Sequence, residues 1–147
     1  MGFHFRYEAL LSYRRHLKER AEVEFSRAQK QLQICREGLK EFNDKRDRVT
    51  ALLESDLRKK VASYVMKNYS DYIKALGHKI AVQKLEVIQW EEVVRKKLEI
   101  LLYKTKQHKV IERLKEKDLE KWKQNQNFLE QKTINEVAIL RHGKEPL

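Results

Sequence analysis

Hydrophobic side chains recur along the first third of the chain in steps of three and four residues. From residue 25 onward these positions are Phe25, Ala28, Leu32, Cys35, Leu39, Phe42, Val49 and Leu53. A three-four alternation places all of its members on one face of an α-helix and is typical of a coiled-coil seam. Leu10, Leu17 and Ala21 extend the same face towards the amino end. The pattern predicts a first helix over about residues 5–55.

A second run with the same rhythm follows later in the chain, at Leu76, Ile80, Gln83, Val87, Trp90 and Val94. It predicts a second helix over about residues 68–140. Helix-capping residue types collect between the two runs, at Ser55, Asp56, Ser63 and Asn68, and predict a bend at about residues 55–68. Two long helices joined by a short bend are expected to pack antiparallel. The predicted fold is therefore all-α, an antiparallel coiled-coil hairpin, in a single domain over residues 1–141 with a flexible tail over residues 142–147.

The composition agrees with a thin two-helix seam and disfavours a thick core. Only 41% of the residues are hydrophobic while 37% are charged, and no proline interrupts the chain between Phe3 and Glu145. No apolar run has the length of a signal peptide or of a membrane helix. The lone cysteine, Cys35, falls on the first seam and behaves there as a small hydrophobe. These features predict a soluble protein of a reducing cytoplasm.

The net charge of +11 raises the question of nucleic-acid binding. Acidic residues are interleaved with the basic ones along the whole chain, whereas nucleic-acid-binding elements concentrate their positive charge. We therefore expect no nucleic-acid partner. The richest basic stretch, Lys104 to Lys123, holds eight Lys or Arg against four acids. It is interpreted as a solvated helix face or, alternatively, as a surface for an acidic partner. If the second interpretation holds, the protein would be a coiled coil that binds polyanions in general.

Residue patterns that support catalysis or cofactor binding are missing from the sequence. The four glycines lie apart, so no phosphate-binding loop is indicated. The histidines include no pair at the four-residue spacing of a helical metal site, and a two-helix seam offers no dry pocket for paired carboxylates. We expect no cofactor, no metal, no catalytic residue and no enzymatic activity. Tyr64, Tyr69 and Tyr72 crowd the region of the bend, either as a contact site or as a cover for the end of the helices.

Five acidic residues precede a basic residue by four positions, a spacing that allows an ion pair on a helix surface. The predicted pairs are Glu41 with Lys45, Asp44 with Arg48, Glu54 with Arg58, Glu91 with Arg95, and Glu92 with Lys96.

Three segments in order resemble the flagellar type III export protein family FliJ. The first is the aromatic-then-leucine start from Phe3 to Leu11, and the second is the run from Asn68 to Leu76 with Ile80, Gln83 and Trp90 after it. The third is the closing segment from Glu130 to Ala138, in which Asn135 stands where the family commonly has Asp. Together they cover nearly the whole chain.

The resemblance implies a component of the flagellar type III protein export apparatus, with roles in flagellum biogenesis and motility. Such a protein is similar to the central stalk of rotary ATPases, and it binds the hexameric export ATPase and promotes its assembly and activity. It would be cytoplasmic and peripheral at the inner-membrane face of the flagellar base, held there by its partners. By resemblance, the ATPase-binding residues are Phe3, Phe5, Leu10, Leu11, Arg14, Lys132, Asn135, Glu136 and Ala138.

The resemblance also implies a second surface, which binds the cytoplasmic linker of the export gate membrane protein. Its residues would be Phe42, Tyr72, Leu76 and Gln83, with Lys45, Val49 and Lys79 at neighbouring positions where the family has different chemistry. Export chaperones are further implied partners. The equivalent stalk of a virulence type III secretion system remains an alternative, because it would share the fold and the mechanism.

Overall fold

The protein folds into two long α-helices joined by a short turn. The computed structural model describes residues 2–144, in which α1 spans Glu8–Arg58 and α2 spans Ser63–Lys144. Between residues 2 and 144 the structure has no strand. The prediction of an all-α fold with two long, mutually packed helices is confirmed.

The helix boundaries differ from the predicted ones by a few residues. The turn occupies only residues 59–62, narrower than the predicted bend, and α2 already begins at Ser63. At the other end α2 continues through Gly143 to Lys144, although the sequence predicts a loose tail from residue 142. The remainder of that predicted tail, residues 145–147, lies outside the described residues.

The turn reverses the chain without glycine or proline. Lys60 has a positive φ of 56°, a left-handed conformation that commonly ends helices and that glycine adopts most easily. The backbone N–H of Lys59 donates to the carbonyl of Asp56 over 3.1 Å. Across the turn, the Ala62 carbonyl accepts hydrogen bonds from the backbone N–H groups of Val65 and Met66. The first turn of α2 is thus anchored on Ala62.

The chain divides into two compact units where the sequence predicts a single domain. The terminal unit consists of residues 1–19 and 103–147, and the bend unit consists of residues 20–102. Within each unit a segment of α1 packs against a segment of α2, and residue numbers fall along α2 as they rise along α1. The antiparallel arrangement therefore holds in each unit considered by itself.

The core of the bend unit is a narrow seam made by the predicted repeat positions. Leu32, Cys35 and Val87 form a buried cluster, against which Leu39, Trp90 and Val94 pack. Further buried hydrophobic residues of this unit are Ala21, Ala28, Leu76 and Ile80. Burial of a side chain the size of leucine contributes about 1.5–3 kcal/mol. The hydrophobic seam, and not surface charge, therefore holds this unit together.

Ion pairs flank the seam but do not follow the predicted spacing. Lys97 bonds to Glu24 across the two helices over 2.7 Å, and this contact lowers the pKa of the Glu24 carboxyl. Glu91 bonds to Arg36 across the helices, not to Arg95. Among the residues that the structure describes, none of the five predicted side-chain pairs forms. Such pairs contribute only about 0.2–0.5 kcal/mol each, too little to fix one partner among several neighbours.

The core of the terminal unit joins the amino-terminal segment to the middle of α2. Phe5, Leu11 and Ile111 form the buried cluster, with Phe3, Leu10 and Leu114 packed against it. Lys115 pairs with Glu8 over 2.9 Å. Glu8 is also the acidic residue of the first turn of α1, where a carboxylate interacts favourably with the helix dipole.

Candidate functional sites

Two of the residues predicted to bind the ATPase are core residues of the terminal unit. The side chain of Leu11 is only 2% exposed and that of Phe5 only 4% exposed. A partner that approaches the folded protein therefore meets little of either side chain. Truncation of a buried Phe or Leu to Ala costs about 2–5 kcal/mol of stability. Substitutions here would change the fold of the unit as well as any contact.

The other amino-terminal members of this set also take part in contacts between the helices. Phe3 lies against Trp122 of α2, with ring centroids 6.0 Å apart. Arg14 donates from Nη1 to the backbone carbonyl of Gln107 over 2.9 Å and is half-buried. Leu10 packs against the buried cluster. The amino-terminal half of the predicted site therefore positions the helices of the terminal unit.

The carboxyl-terminal members of the set have a different environment. Lys132, Asn135, Glu136 and Ala138 are all exposed on α2. Lys132 follows Trp122 by ten residues, which corresponds to about 15 Å of helix rise. The structure thus separates the two halves of the predicted ATPase-binding set instead of bringing them into one patch.

Large hydrophobic residues on the same part of α2 were not predicted as functional. Phe128 and Ile134 are each 66% exposed, and Ile139 is 69% exposed, with Leu140 close behind at 63%. Leu129, Glu130, Thr133 and Ile134 line a shallow depression on this surface. A signal was available in the sequence, because large hydrophobic residues continue after Trp122 at Phe128, Leu129, Ile134, Ile139 and Leu140. We call residues 123–143 the exposed end of α2.

His108 is a buried residue of the terminal unit. From sequence, the histidines are interpreted as surface or seam residues without a functional role. Its side chain is almost fully enclosed, and Nε2 has no hydrogen-bond partner. The nearest acidic atom, Oε1 of Glu112, is 3.6 Å away, beyond hydrogen-bond range. A buried polar atom without a partner costs stability.

The predicted gate-binding residues in the bend unit also differ in accessibility. Leu76 is only 3% exposed and belongs to the seam. Gln83 is half-buried and donates from Nε2 to the Cys35 carbonyl over 2.9 Å. Phe42 is half-buried, while Tyr72 is 49% exposed. Of the four, Leu76 is enclosed, Tyr72 is available to a partner, and Phe42 and Gln83 are partly accessible.

Two lysines flank the Phe42 ring, one from each helix. The Nζ atoms of Lys45 and Lys79 each lie 6.0 Å from the ring centroid, at the outer limit of a cation-π contact. Next to them, Val49, Val65, Asn68, Tyr69 and Tyr72 line an open cavity of about 280 Å³ with apolar walls. We call the surface from Phe42 to this cavity the bend-unit groove.

The tyrosines near the turn divide between the two roles that the sequence left open. Tyr69 donates from its hydroxyl to Oδ2 of Asp56 over 2.7 Å, and this hydrogen bond raises the pKa of the phenol. It therefore joins α2 to α1 close to the turn. Tyr64, by contrast, is 69% exposed. One tyrosine helps to close the end of the helices and another is free for contact.

In residues 2–144, neither helix has a stretch long and apolar enough to span a bilayer. Over the same part of the chain, the side chains of His, Cys, Asp and Glu do not gather in groups of three that could hold a metal ion.

The fold of this protein is similar to that of a solved structure over nearly its whole length. A solved structure described as that of a YscO homolog from Chlamydia trachomatis matches with a TM-score of 0.54 at 18% sequence identity. The match covers 97% of this chain and 96% of that chain. At this identity the likeness concerns the fold. A search of curated proteins found no match.

The sequence itself matches a protein family over nearly its whole length. The family model described as "Flagellar FliJ protein" matches residues 3–146. That range includes the opening aromatic segment, both helices and the exposed end of α2. The chain therefore belongs to the FliJ family of flagellar proteins, which are associated with type III protein export.

Proposed function

We propose that this protein is a cytoplasmic, non-enzymatic adaptor of the flagellar type III export apparatus, which binds the hexameric export ATPase and promotes its assembly and activity. Family membership over residues 3–146 supports this proposal. The contact would be made by the terminal unit, whose two helix segments would act as a stalk within the hexamer. Its association with the inner membrane would be indirect, through its partners.

The observation that carries the proposal is the exposed end of α2. Phe128, Ile134, Ile139 and Leu140 each leave more than half of the side chain accessible, within a stretch that has no α1 segment against it among the described residues. Large exposed hydrophobic surfaces on soluble proteins mark interaction sites. Lys132 and Glu136 lie among these residues and would supply the polar rim of the contact.

The bend unit would carry the other two interactions. The bend-unit groove exposes Tyr72 and part of Phe42, and we assign the cytoplasmic linker of the export gate protein to this surface. Export chaperones are the third class of partner. The exposed Tyr64 is a suitable contact for them, because an aromatic ring with a wet hydroxyl suits a protein interface.

The test is the hydrolysis rate of the cognate export ATPase, measured with increasing amounts of this protein while the size of the ATPase is followed. We expect faster hydrolysis together with hexamer formation. The variant Ile134→Ser with Ile139→Ser removes two exposed hydrophobic side chains and should reduce the apparent affinity by tenfold or more, since central hydrophobic contacts each contribute about 1–2 kcal/mol or more. Phe5→Ala and Leu11→Ala are poor choices, because they would also disrupt the core.

A matched control is available in the bend unit. Leu85 and Ile88 are 61% and 60% exposed, so Leu85→Ser with Ile88→Ser makes the same chemical change at similar accessibility away from the terminal unit. We expect this control to stimulate the ATPase like the wild type. Equal loss in both variants would argue against the assigned contact, and no stimulation by the wild type would argue against the function.

The basic stretch of α2 favours polyanion binding as a second candidate function. Lys106, Lys109, Arg113, Lys117 and Lys121 are exposed and recur at helical spacing. None of them forms an ion pair within the described residues. Binding through this stripe would weaken steeply with salt and would not respond to Ile134→Ser with Ile139→Ser. The same titration at two salt concentrations separates the candidates.

A further inference from the structure

The bend-unit groove combines a positive end with an apolar end. Lys45, on α1, and Lys79, on α2, both place their ammonium groups at the Phe42 ring. Along the same groove, the apolar cavity begins at Val49 and Tyr72. Each helix contributes its residues at spacings of three, four and seven, so these positions share one face of each helix.

Among the described residues, neither lysine takes part in an ion pair. Glu41 precedes Lys45 by four residues, yet the two side chains do not pair, and Lys79 likewise has no ion pair among the described residues. Both ammonium groups lie 6.0 Å from the centroid of the same aromatic ring. Two positive charges near one point that lack an ion-pair partner attract an anionic group electrostatically.

The apolar end of the groove limits which class of anionic ligand can fill the whole groove. The cavity of about 280 Å³ is lined by Val49, Val65, Asn68, Tyr69 and Tyr72, and it has room for one large hydrophobic side chain. Seven residues of helix separate Phe42 from Val49, which is about 10 Å. An extended peptide covers that distance in about three residues. A nucleic-acid duplex keeps its bases stacked between its phosphate backbones, and a membrane surface keeps its acyl chains beneath its headgroups. Neither therefore presents an anionic group beside an exposed hydrophobic group.

We infer that the bend-unit groove binds an extended acidic segment of a partner protein, with an Asp or Glu at the Lys45 and Lys79 pair and a large hydrophobic side chain about three residues away in the Val49 and Tyr72 cavity. This inference deepens the gate-binding role and rests on the proposed function for the identity of the partner. It adds the chemistry that the partner must present. It also makes Lys45 and Lys79, rather than the buried Leu76, the determinants of specificity.

The experiment measures binding of the cytoplasmic linker of the export gate, as a peptide, to the full-length protein by calorimetry at low and high salt. The test variant is Lys45→Gln with Lys79→Gln. The matched control is Lys40→Gln with Lys84→Gln, which removes one exposed lysine from each helix of the same unit, on faces away from the groove. We expect roughly tenfold weaker binding for the test variant at low salt, and less than a twofold change for the control.

Two further measurements locate the interaction. A linker peptide with its Asp and Glu residues changed to Asn and Gln should lose affinity for the wild type but not for the test variant. Carbodiimide cross-linking, which joins carboxylates to amines directly, should link the acidic peptide to Lys45 or Lys79. Circular dichroism of each variant checks that the helices are intact.

The contrary outcomes are distinguishable. If the wild type binds the linker and the test variant binds equally well, the inference is overturned while the gate-binding role stands. If the wild type does not bind the linker, the gate-binding role fails and the inference fails with it, while ATPase stimulation remains a separate result. Lysine-dependent capture of anionic phospholipid vesicles would reassign the groove to a membrane surface and would also overturn the inference.

Discussion

Gln83 and Gly38 face each other across the seam of the bend unit, and the side chain of Gln83 occupies the space that a side chain at position 38 would need. A Cβ atom added at Gly38 would lie 2.9 Å from Nε2 of Gln83. The same Nε2 donates to the Cys35 carbonyl. The glycine thus accommodates a polar contact between the helices in an otherwise apolar seam.

This arrangement predicts that the two positions are energetically coupled. Inside a helix, alanine is more stable than glycine by about 1 kcal/mol. In the wild type, however, Gly38→Ala would displace the Gln83 amide and weaken its hydrogen bond to the Cys35 carbonyl. That loss is of similar size, about 0.5–1.5 kcal/mol. We expect Gly38→Ala to be nearly neutral alone and stabilising by about 1 kcal/mol in a Gln83→Ala background. Urea unfolding of the four proteins measures this coupling, and equal effects in both backgrounds would contradict it.

His108 predicts a gain in stability from a hydrophobic replacement. Its Nε2 is buried without a partner, and leucine fills a similar volume without that cost. We expect His108→Leu to raise the free energy of unfolding by about 1–3 kcal/mol. His78 is exposed, so His78→Leu provides the control and should change stability little. If His108→Leu lowers the free energy of unfolding instead, the imidazole makes a contact that stabilises the protein by more than the burial of its polar atoms costs.

Lys60 predicts a second stabilising substitution. Its φ of 56° is strained for a residue with a Cβ atom, at a cost of roughly 1 kcal/mol, and glycine adopts it freely. We expect Lys60→Gly to raise the midpoint of thermal unfolding by a few degrees. The neighbouring variant Lys59→Gly removes the same side chain where no positive φ is needed, and it should lower the midpoint. The same sign for both variants would argue against strain at position 60.

The hydrogen bond from Tyr69 to Asp56 predicts a pH dependence at the alkaline side. The bond needs the phenol proton, so it raises the pKa of Tyr69 above its ordinary value. A group whose pKa is raised by folding stabilises the protein fully below its unfolded pKa of about 10, and the contribution is lost as the pH rises through the folded value. We therefore expect the stability difference between wild type and Tyr69→Phe to be constant from neutral pH to about pH 9 and to shrink above that.

The control for this titration is Tyr64→Phe. Tyr64 is 69% exposed, so its replacement should leave the alkaline unfolding profile parallel to that of the wild type. Urea unfolding over the alkaline range measures all three proteins. A constant difference between wild type and Tyr69→Phe up to the highest pH would mean that the hydrogen bond does not contribute to stability.

The helical fold was predictable because hydrophobic residues recur at the three-four spacing along both helices. Leu32, Cys35 and Val87 were placed on the seam by spacing alone, and they form the buried cluster. The turn was harder to place. Ser55 and Asp56 are typical helix-capping residues, yet both lie within α1. The residue with the left-handed conformation is Lys60, whereas a glycine at that position would have indicated the turn from sequence.

The site residues were less predictable, because family position does not determine burial. Leu76 and Leu11 can be assigned to a contact surface from sequence, yet the packing of α1 against α2 encloses both. Conversely, the flanking of Phe42 by two lysines depends on which face of each helix meets the other. That relationship arises from tertiary packing and leaves no motif in the sequence of either helix.

The antiparallel pairing also has a consequence for the order in which the protein forms during synthesis. Contacts near the turn, such as Asp56 with Tyr69, join residues that leave the ribosome almost together, whereas Phe3 must wait for Trp122. Closing a long chain segment costs more entropy than closing a short one, so we expect pairing to begin beside the turn and to advance outward in both helices. The nascent amino-terminal segment, with the aromatic residues Phe3 and Phe5, then stays uncovered until Ile111 and Trp122 of α2 have emerged, and a ribosome-associated chaperone would have access to it during that interval.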